Sequence, residues 1–344
     1  MSKKILLTGA GGYIGSRMVE KILETGDRVL ALDRYFFGDV LKDLKNNSNL
    51  TIIKNDTRFF DKQILKDVDV VVDLASISND PAAELVPTLT REINHEGAVR
   101  VARLAKEMGV KKFIFSSSCS TYGHGKEDKL NELSDLAPVS EYAKSKIAAE
   151  KEILDLSNDD FCVTSLRNAT VYGLSRRRMR FDLIINIMTL HAWKNKKIFV
   201  LGGGKQWRPL VHIDDVIKAF LMVVDENDCI KINKEIFNVG SNDQNYQVFQ
   251  VAQIIKNHFS DLEIDVTPDD PDARTYNVNF DKINSVLGYQ VDKTVDDGIS
   301  EIKKALDNGV LQYDDKRTST LGYYKFLMEA DETLREVKLN GKLF

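Results

Sequence analysis

The segment Tyr142-Ala143-Lys144-Ser145-Lys146 sets a tyrosine and a lysine four residues apart. The apolar spacing of Glu141–Leu154 predicts a helix, and on a helix positions i and i+4 share one face. An ammonium beside a phenol favours the phenolate and draws its pKa down from about 10. Such a pair can exchange a proton with a substrate hydroxyl while a hydride leaves or rejoins the same carbon. Taken alone, it reads equally well as a solvated helix face. Upstream, Phe113-Ile114-Phe115 runs into Ser116-Ser117-Ser118-Cys119-Ser120-Thr121-Tyr122-Gly123. A hydroxyl at the carboxyl end of a strand stands where open α/β sheets bind ligands. An ordinary polar strand-to-loop transition is the plainer alternative.

A redox role needs a cofactor, and the N-terminus offers a place for one. Gly9, Gly12 and Gly15 punctuate Thr8-Gly9-Ala10-Gly11-Gly12-Tyr13-Ile14-Gly15, between an apolar strand and a helix. Glycines there allow a tight turn, close approach to a pyrophosphate, and close helix–strand packing. The pyrophosphate would rest on the helix start at Tyr13 and Ile14, where unpaired N–H groups favour an anion. Asp33 ends the second strand, at the position from which a carboxylate accepts hydrogen bonds from the adenosine ribose. It would repel a 2′-phosphate and so favours NAD over NADP, while the adjacent Arg34 keeps the second alternative open.

These groups must be held by a scaffold. Lys4–Leu7, Arg28–Leu32, Thr51–Lys54, Val68–Leu74 and Lys112–Phe115 read as strands, with helical spacing over Ile14–Thr25 and Thr88–Met108. The fold class expected is α/β: a Rossmann doubly wound parallel sheet with a smaller mixed α/β substrate-binding lobe. The Rossmann domain takes residues 1–173, with a returning segment about 209–240, where Val211–Val224 looks like the returning element. Residues 174–208 and 241–344 form the lobe and a C-terminal extension. In the lobe, Phe181–Lys194 reads as a helix, Ile198–Val200 as a strand, and Pro268-Asp269-Asp270-Pro271 as a loop.

The balance of 48 basic and 52 acidic residues, net −4, argues against nucleic acid or an anionic membrane as the main partner. Cys119, Cys162 and Cys229 are too scattered for a disulfide framework or a structural metal site, which fits a reducing cytoplasm. The apolar run Ile5–Leu7 is too short for a signal peptide, and no run approaches the roughly 20 residues that span a bilayer. The expectation is a cytoplasmic protein with no metal.

The order Gly9/Gly12/Gly15, Asp33, serine run, Tyr142/Lys146 resembles the extended short-chain dehydrogenase/reductase family, specifically its nucleotide-sugar epimerases and dehydratases. The likeness spans roughly residues 3 to 290. It implies Tyr142 as the base, Lys146 as its activator and ribose contact, and Ser118, four before Tyr122, as the hydroxyl on the substrate; Ser117 is the alternative. It places Asp56, followed by Thr57, at the adenine, and Leu74-Ala75-Ser76 on the loop lining the cofactor. Asn94 matches an Asn-x-x-Gly position through Gly97. Ser116 and Asn168 fall on the nicotinamide side, with Ser78 and Thr170 toward the substrate. Thr170 departs from the family, which often has Asn there. In the lobe the resemblance implies Asn186, Arg208 and Arg274, the last within Asp272-Ala273-Arg274, as contacts for a nucleotide-diphosphate sugar. Guanidinium groups suit a diphosphate because they bind its oxygens bidentately, although each arginine reads also as a surface ion-pair residue.

The net reaction is less determined. Members that dehydrate carry an Asp-Glu pair where this chain has Cys119 and Ser120, so a standard dehydratase is disfavoured. Cys119 is a candidate acid/base, with a small buried cysteine as the alternative. An NAD-dependent epimerase passing through a keto-sugar is expected first. An unusual dehydratase, a 4-oxidase or 4-ketoreductase, and a dinucleotide-sensing non-enzyme follow. Arg176-Arg177-Arg178-Met179-Arg180 reads as a solvated lid loop or a helper for the substrate diphosphate. The resemblance also implies a homodimer through a four-helix interface built from Leu89–Met108 and Tyr142–Leu156. The segment after about Ser300 suggests only a helix packing on the lobe.

Overall fold

The computed structural model describes residues 2–125, 128–268 and 274–343. The expected loop residues Asp269, Asp270 and Pro271, and Asp272-Ala273 before Arg274, lie outside that description. The strands are β1 (Lys4–Thr8), β2 (Arg28–Asp33), β3 (Leu50–Lys54), β4 (Val70–Asp73), β5 (Lys112–Ser118), β6 (Cys162–Asn168), β7 (Thr170–Tyr172), β8 (Lys197–Val200), β9 (Trp207–His212), β10 (Glu235–Val239), β11 (Asn245–Gln247) and β12 (Glu263–Val266).

Seven of them form one parallel sheet in the order β10-β6-β5-β4-β1-β2-β3. Its central strands read as nearly unbroken apolar runs because helices cover both faces: every residue of β4 is buried. On one face Ile5, Leu7, Val70 and Ile114 pack with Met18 and Ile22 of helix Tyr13–Glu24. On the other, Leu6, Val71 and Phe113 pack with Ala98 and Ala102 and with Ile153 of helix Glu141–Leu154. Burying each such side chain stabilises the sheet by about 1.5–3 kcal/mol.

The returning segment differs in detail from the sequence reading. Val211–Val224 is not one element of the sheet. It comprises the end of β9, paired with β7 and β11 in a separate sheet, and helix Ile213–Asp225. That helix joins the main core through Val216, Phe220 and Val223. The buried Lys112 ammonium caps its end, donating to the carbonyls of Val223, Val224 and Glu226 at 2.7–2.9 Å. The strand that completes the large sheet is β10, which lies inside the expected returning segment 209–240 and pairs with β6. The remaining strands, β8 and β12, pair beside a third core containing Ile185, Val200, Val251 and Ile299.

The expected long helix Thr88–Met108 is continuous but contains one widened turn, Glu92–Gly97, between Pro87–Arg91 and Ala98–Glu107. Such π-turns often mark functional sites. This one carries Asn94. In the lobe, the helix expected from Phe181 begins at Ile184.

Candidate active site

The strand order reverses at β1 and β4, and the loops around that switch point open into a cleft of about 960 Å³. Its place and size are those of a ligand site in a doubly wound sheet. Gly9 has φ +68°, and a Cβ there would lie 2.8 Å from the Leu74 and Ala75 backbone. A Cβ on Gly15 would come within 2.1 Å of the Gly9 carbonyl oxygen. Only glycine meets both demands. Helix Tyr13–Glu24 starts at Gly12 with no capping side chain and no acid in its first turn, so its N–H groups border the cleft uncapped. That is an anion site by construction.

Asp33 lines the cleft at the end of β2, where its carboxylate accepts from the Gly11 N–H at 3.0 Å and from the Tyr35 N–H. Burial pushes its pKa up. Arg34 also lines the cleft and pairs with Asp56 at 2.9 Å, so its charge is already answered by a carboxylate. Burial acts to raise the Asp56 pKa, but Arg58 and Arg34 outweigh it and hold the carboxyl far below its usual range. Asp33→Asn is expected to weaken NAD binding several-fold and to narrow the preference over NADP, because the repelling charge is gone. Titration of the variant with both dinucleotides checks this.

Thr57, Leu74, Ala75, Ser76 and Ser78 also line the cleft. Asn94 does not. Its amide grips the Ile77 backbone, accepting from N–H at 2.8 Å and donating to the carbonyl at 3.0 Å, and so shapes the loop from behind.

At the centre stand Ser116, Ser118, Tyr142, Lys146, Asn168 and Thr170. Helix Glu141–Leu154 is capped by Ser140, whose hydroxyl accepts from the Ala143 N–H, and this sets the register that presents Tyr142 and Lys146 together. Ser118 and Tyr142 line the cleft together, and the Ser118 hydroxyl is close enough to act on the Tyr142 phenol. Ser118 also accepts from the Ser120 N–H at 3.1 Å. The Lys146 ammonium donates to the Ser116 carbonyl at 2.9 Å and lies 4.8 Å from the Phe115 ring centre.

The lowering of the Tyr142 pKa expected from Lys146 is reversed in the structure. Burial, and then the Asp80 charge, push the phenol above its ordinary value, opposed by the neighbouring Ser118 hydroxyl and by Arg180. The ammonium is turned to Ser116, 5.9 Å from the Tyr142 ring centre. Burial in turn lowers the Lys146 pKa to about 8, against the favourable charges of Asp73 and Glu150. A lysine so shifted loses its charge as pH rises through about 8, so turnover that needs the ammonium should decline there. Asp73→Asn removes one of those stabilising charges and is expected to move the declining limb of the kcat profile to lower pH.

Three residues assigned from the resemblance stand elsewhere. Cys119 does not line the cleft; the strand ends at Ser118, and the following turn points the thiol inward, 3.2 Å from the Arg167 carbonyl. Burial pushes that thiol's pKa far up, which suits packing and not proton transfer. Asn186 is fully buried, its amide spent on the Gly173 N–H, the Tyr13 hydroxyl and the Arg180 carbonyl. With Asn94, that makes three. Ser117 is buried with no hydrogen-bond partner for its hydroxyl among the described residues.

Arg208 and Arg274 do reach the cleft. Arg208 donates to the Arg274 carbonyl at 2.5 Å, and Arg274 pairs with Asp80 across the lobes. The basic run is not solvated: of its arginines only Arg176 is exposed, while Arg177 pairs with Glu20 and Asp43, and Arg180 with Asp182 at 2.8 Å. Sequence reasoning missed Asp80, Tyr276, Asp182 and Tyr324, which line the same cleft. No spacing links them.

A dinucleotide fits these residues. The glycine cradle would be filled by any Cβ, the helix start lacks a cap, and the buried Asn168 Oδ1 has no partner among the described residues. Fold and site together define a dinucleotide-dependent enzyme with a Ser/Tyr/Lys centre. The chain belongs to the NAD dependent epimerase/dehydratase family, which matches residues 5–240, and its cofactor is NAD. It is 29% identical over 280 residues to an uncharacterized UDP-glucose epimerase of Bacillus subtilis, covering 75% of this chain and 85% of that one. It is 28% identical over 320 residues to the dTDP-D-glucose 4,6-dehydratase of Mus musculus, covering 87% of each. The structure of a UDP-N-acetylglucosamine 4-epimerase from Methanobrevibacter ruminantium superposes with a TM-score of 0.80, covering 90% of this chain and 99% of that one. At 23% identity, that likeness is one of fold.

Proposed function

We propose that the protein epimerises a sugar carried on a nucleoside diphosphate, oxidising one carbinol and returning the hydride from the same NAD. The observation that carries this reading is the single cleft that joins the glycine turn and Asp33 to Ser118, Tyr142 and Lys146, and these to Arg208 and Arg274. Bound NAD supplies the hydride acceptor and, when oxidised, a positive charge that favours the Tyr142 phenolate. Tyr142 then takes the proton from the sugar hydroxyl as the carbinol is oxidised and gives it back on return. Ser118 hydrogen-bonds the oxygen on which charge changes. Lys146 holds positive charge beneath the phenol, and Arg208 and Arg274 bind the diphosphate.

Dehydration needs an acid for the departing hydroxyl. Cys119 is turned into the core, and the alcohol of Ser120 is a poor acid at neutral pH, which favours epimerisation over loss of water. Incubation with UDP-, GDP-, dTDP- and CDP-sugars, followed by NMR, is expected to show inversion at one carbon for one of these classes. Loss of water, or stoichiometric NADH with a keto-sugar, would assign the protein to the other chemistries.

The reading extends to a cytoplasmic homodimer. Its support is that helices Ala98–Glu107 and Glu141–Leu154 lie side by side, tied by His95–Glu152 and Arg103–Glu152 contacts, as one half of a four-helix interface would. Among the described residues no helix is long and apolar enough to cross a membrane. Light scattering at micromolar concentration should give the mass of two chains; a monomer would remove this part of the reading.

A further inference from the structure

Arg178 is only 4% exposed, yet no carboxylate among the described residues pairs with it. Its guanidinium lies 3.7 Å from the Phe37 ring centre, with one Nη donating to the Met179 carbonyl and the other to the Thr320 hydroxyl at 3.0 Å. Nε has no partner among the described residues. Burial, and then the like charge of Arg180, lower its pKa to about 10. The charges of Asp182 and Asp315 reach it without forming an ion pair, and a buried cation so weakly answered is costly unless an anion arrives. Its neighbours Arg177 and Arg180 have theirs already.

The surroundings are as specific as the charge. A segment from the far end of the chain closes over this arginine and borders the same cleft as Gly12 and Asp33. The Phe181 N–H donates to the Thr318 carbonyl at 2.8 Å, and the Thr320 N–H to Asp182 at 2.9 Å. Phe37, four residues past Asp33, packs against Tyr323 and Tyr324 with tilted rings, centres 5.6 and 5.7 Å apart. Tyr324 lies near enough to Asp33 and Arg178 for its phenol to feel both charges. This end of the chain was expected only to pack on the lobe.

We propose that Arg178 binds the diphosphate of the dinucleotide, and that the segment Arg317–Tyr324 is a strap that holds Arg178 and the Phe36–Phe37 loop over it. The cofactor is thereby enclosed by residues from both ends of the chain and stays bound between the two hydride transfers. A diphosphate could also come from the nucleotide sugar. Arg178 is assigned to the dinucleotide because its packing partner Phe37 extends from the Asp33 end of β2, whereas Arg208 and Arg274 lie on the lobe. The proposal rests on the cofactor lying along the glycine turn; Arg178 is its ligand, and Phe37, Thr320 and Tyr324 are positioning residues.

The test uses the full-length protein loaded with NADH, whose release is followed by fluorescence during a chase with NAD. Binding of UDP to the NAD-loaded protein is measured separately by calorimetry. Arg178→Met is expected to weaken NADH binding roughly tenfold or more, the scale for loss of a charged hydrogen bond, chiefly by faster release. Tyr324→Ala should speed release in the same direction. UDP affinity should remain within about twofold in both. Arg178→Lys, which keeps the charge, should recover much of the affinity, and Arg176→Met on the exposed neighbour should change nothing.

If Arg178→Met does not fold, the Arg178→Lys and Tyr324→Ala release rates decide the matter: both unchanged overturns the proposal. Unchanged NADH release with weakened UDP would move Arg178 to the sugar nucleotide and also overturn it. Wild-type protein that fails to bind NADH would instead contradict the cofactor site itself.

Discussion

Replacing Tyr142 with phenylalanine is expected to lower turnover about 10³-fold or more while leaving NAD bound. The substitution removes one oxygen from a side chain that lies beside Ser118 and keeps the ring that packs above Lys146. General acid–base catalysis is worth roughly 10²–10⁴ in rate. The upper part of that range applies because no other described group at the centre can replace the phenol. Ser118 has no neighbouring base of its own, and the Lys146 ammonium is directed to the Ser116 carbonyl. The glycine turn and Asp33 are untouched, so NADH titration should give a near-normal affinity. Turnover within tenfold of wild type would remove Tyr142 from the chemistry.

Glu150→Ala is expected to destabilise the fold by about 3–5 kcal/mol, the cost of breaking a buried ion pair from one side. Glu150 lies one turn beyond Lys146, and its carboxylate holds Arg167 of β6 at 2.6 Å and accepts from the Ser165 hydroxyl at 2.8 Å. Both charged side chains are nearly inaccessible, at 3% and 4%. Without Glu150, the Arg167 guanidinium keeps, among the described residues, the Tyr122 hydroxyl at 3.1 Å and the Glu132 carbonyl at 3.5 Å. Replacing both partners with apolar residues of similar volume, Glu150→Leu with Arg167→Met, should cost much less, since no stranded charge remains. Urea unfolding of the two variants checks the difference. Equal losses would mean that the pair acts through packing and not through charge.

The parts legible in the sequence were those whose chemistry is local. Gly15 is dictated by backbone contact within one turn, Gly9 by its positive φ in that turn, and Asp33 by its place at a strand end. Tyr142 and Lys146 follow from helical spacing, and Ser118 from the end of β5. Residue type was a weaker guide where a tertiary contact decides what a side chain does. Asn94 and Asn186 have amides suited to a ligand, but each spends them on backbone groups behind the cleft. Cys119 follows Ser118 directly, and only the turn after β5 sends its thiol into the core. The charge run at Arg176–Arg180 looked solvated because its cover comes from Thr318 and Thr320, more than a hundred residues on. The sign of the Tyr142 shift likewise depends on burial, which spacing does not report.

The central claim, that one bound NAD removes and returns the same hydride, is tested most directly by running the reaction in D₂O with an unlabelled nucleotide sugar and only the NAD that the protein carries. The account predicts inversion at one carbon with protium retained there, no free NADH and no loss of water. Deuterium at the inverted carbon, a dehydrated product, or NADH accumulating in step with a keto-sugar would contradict it.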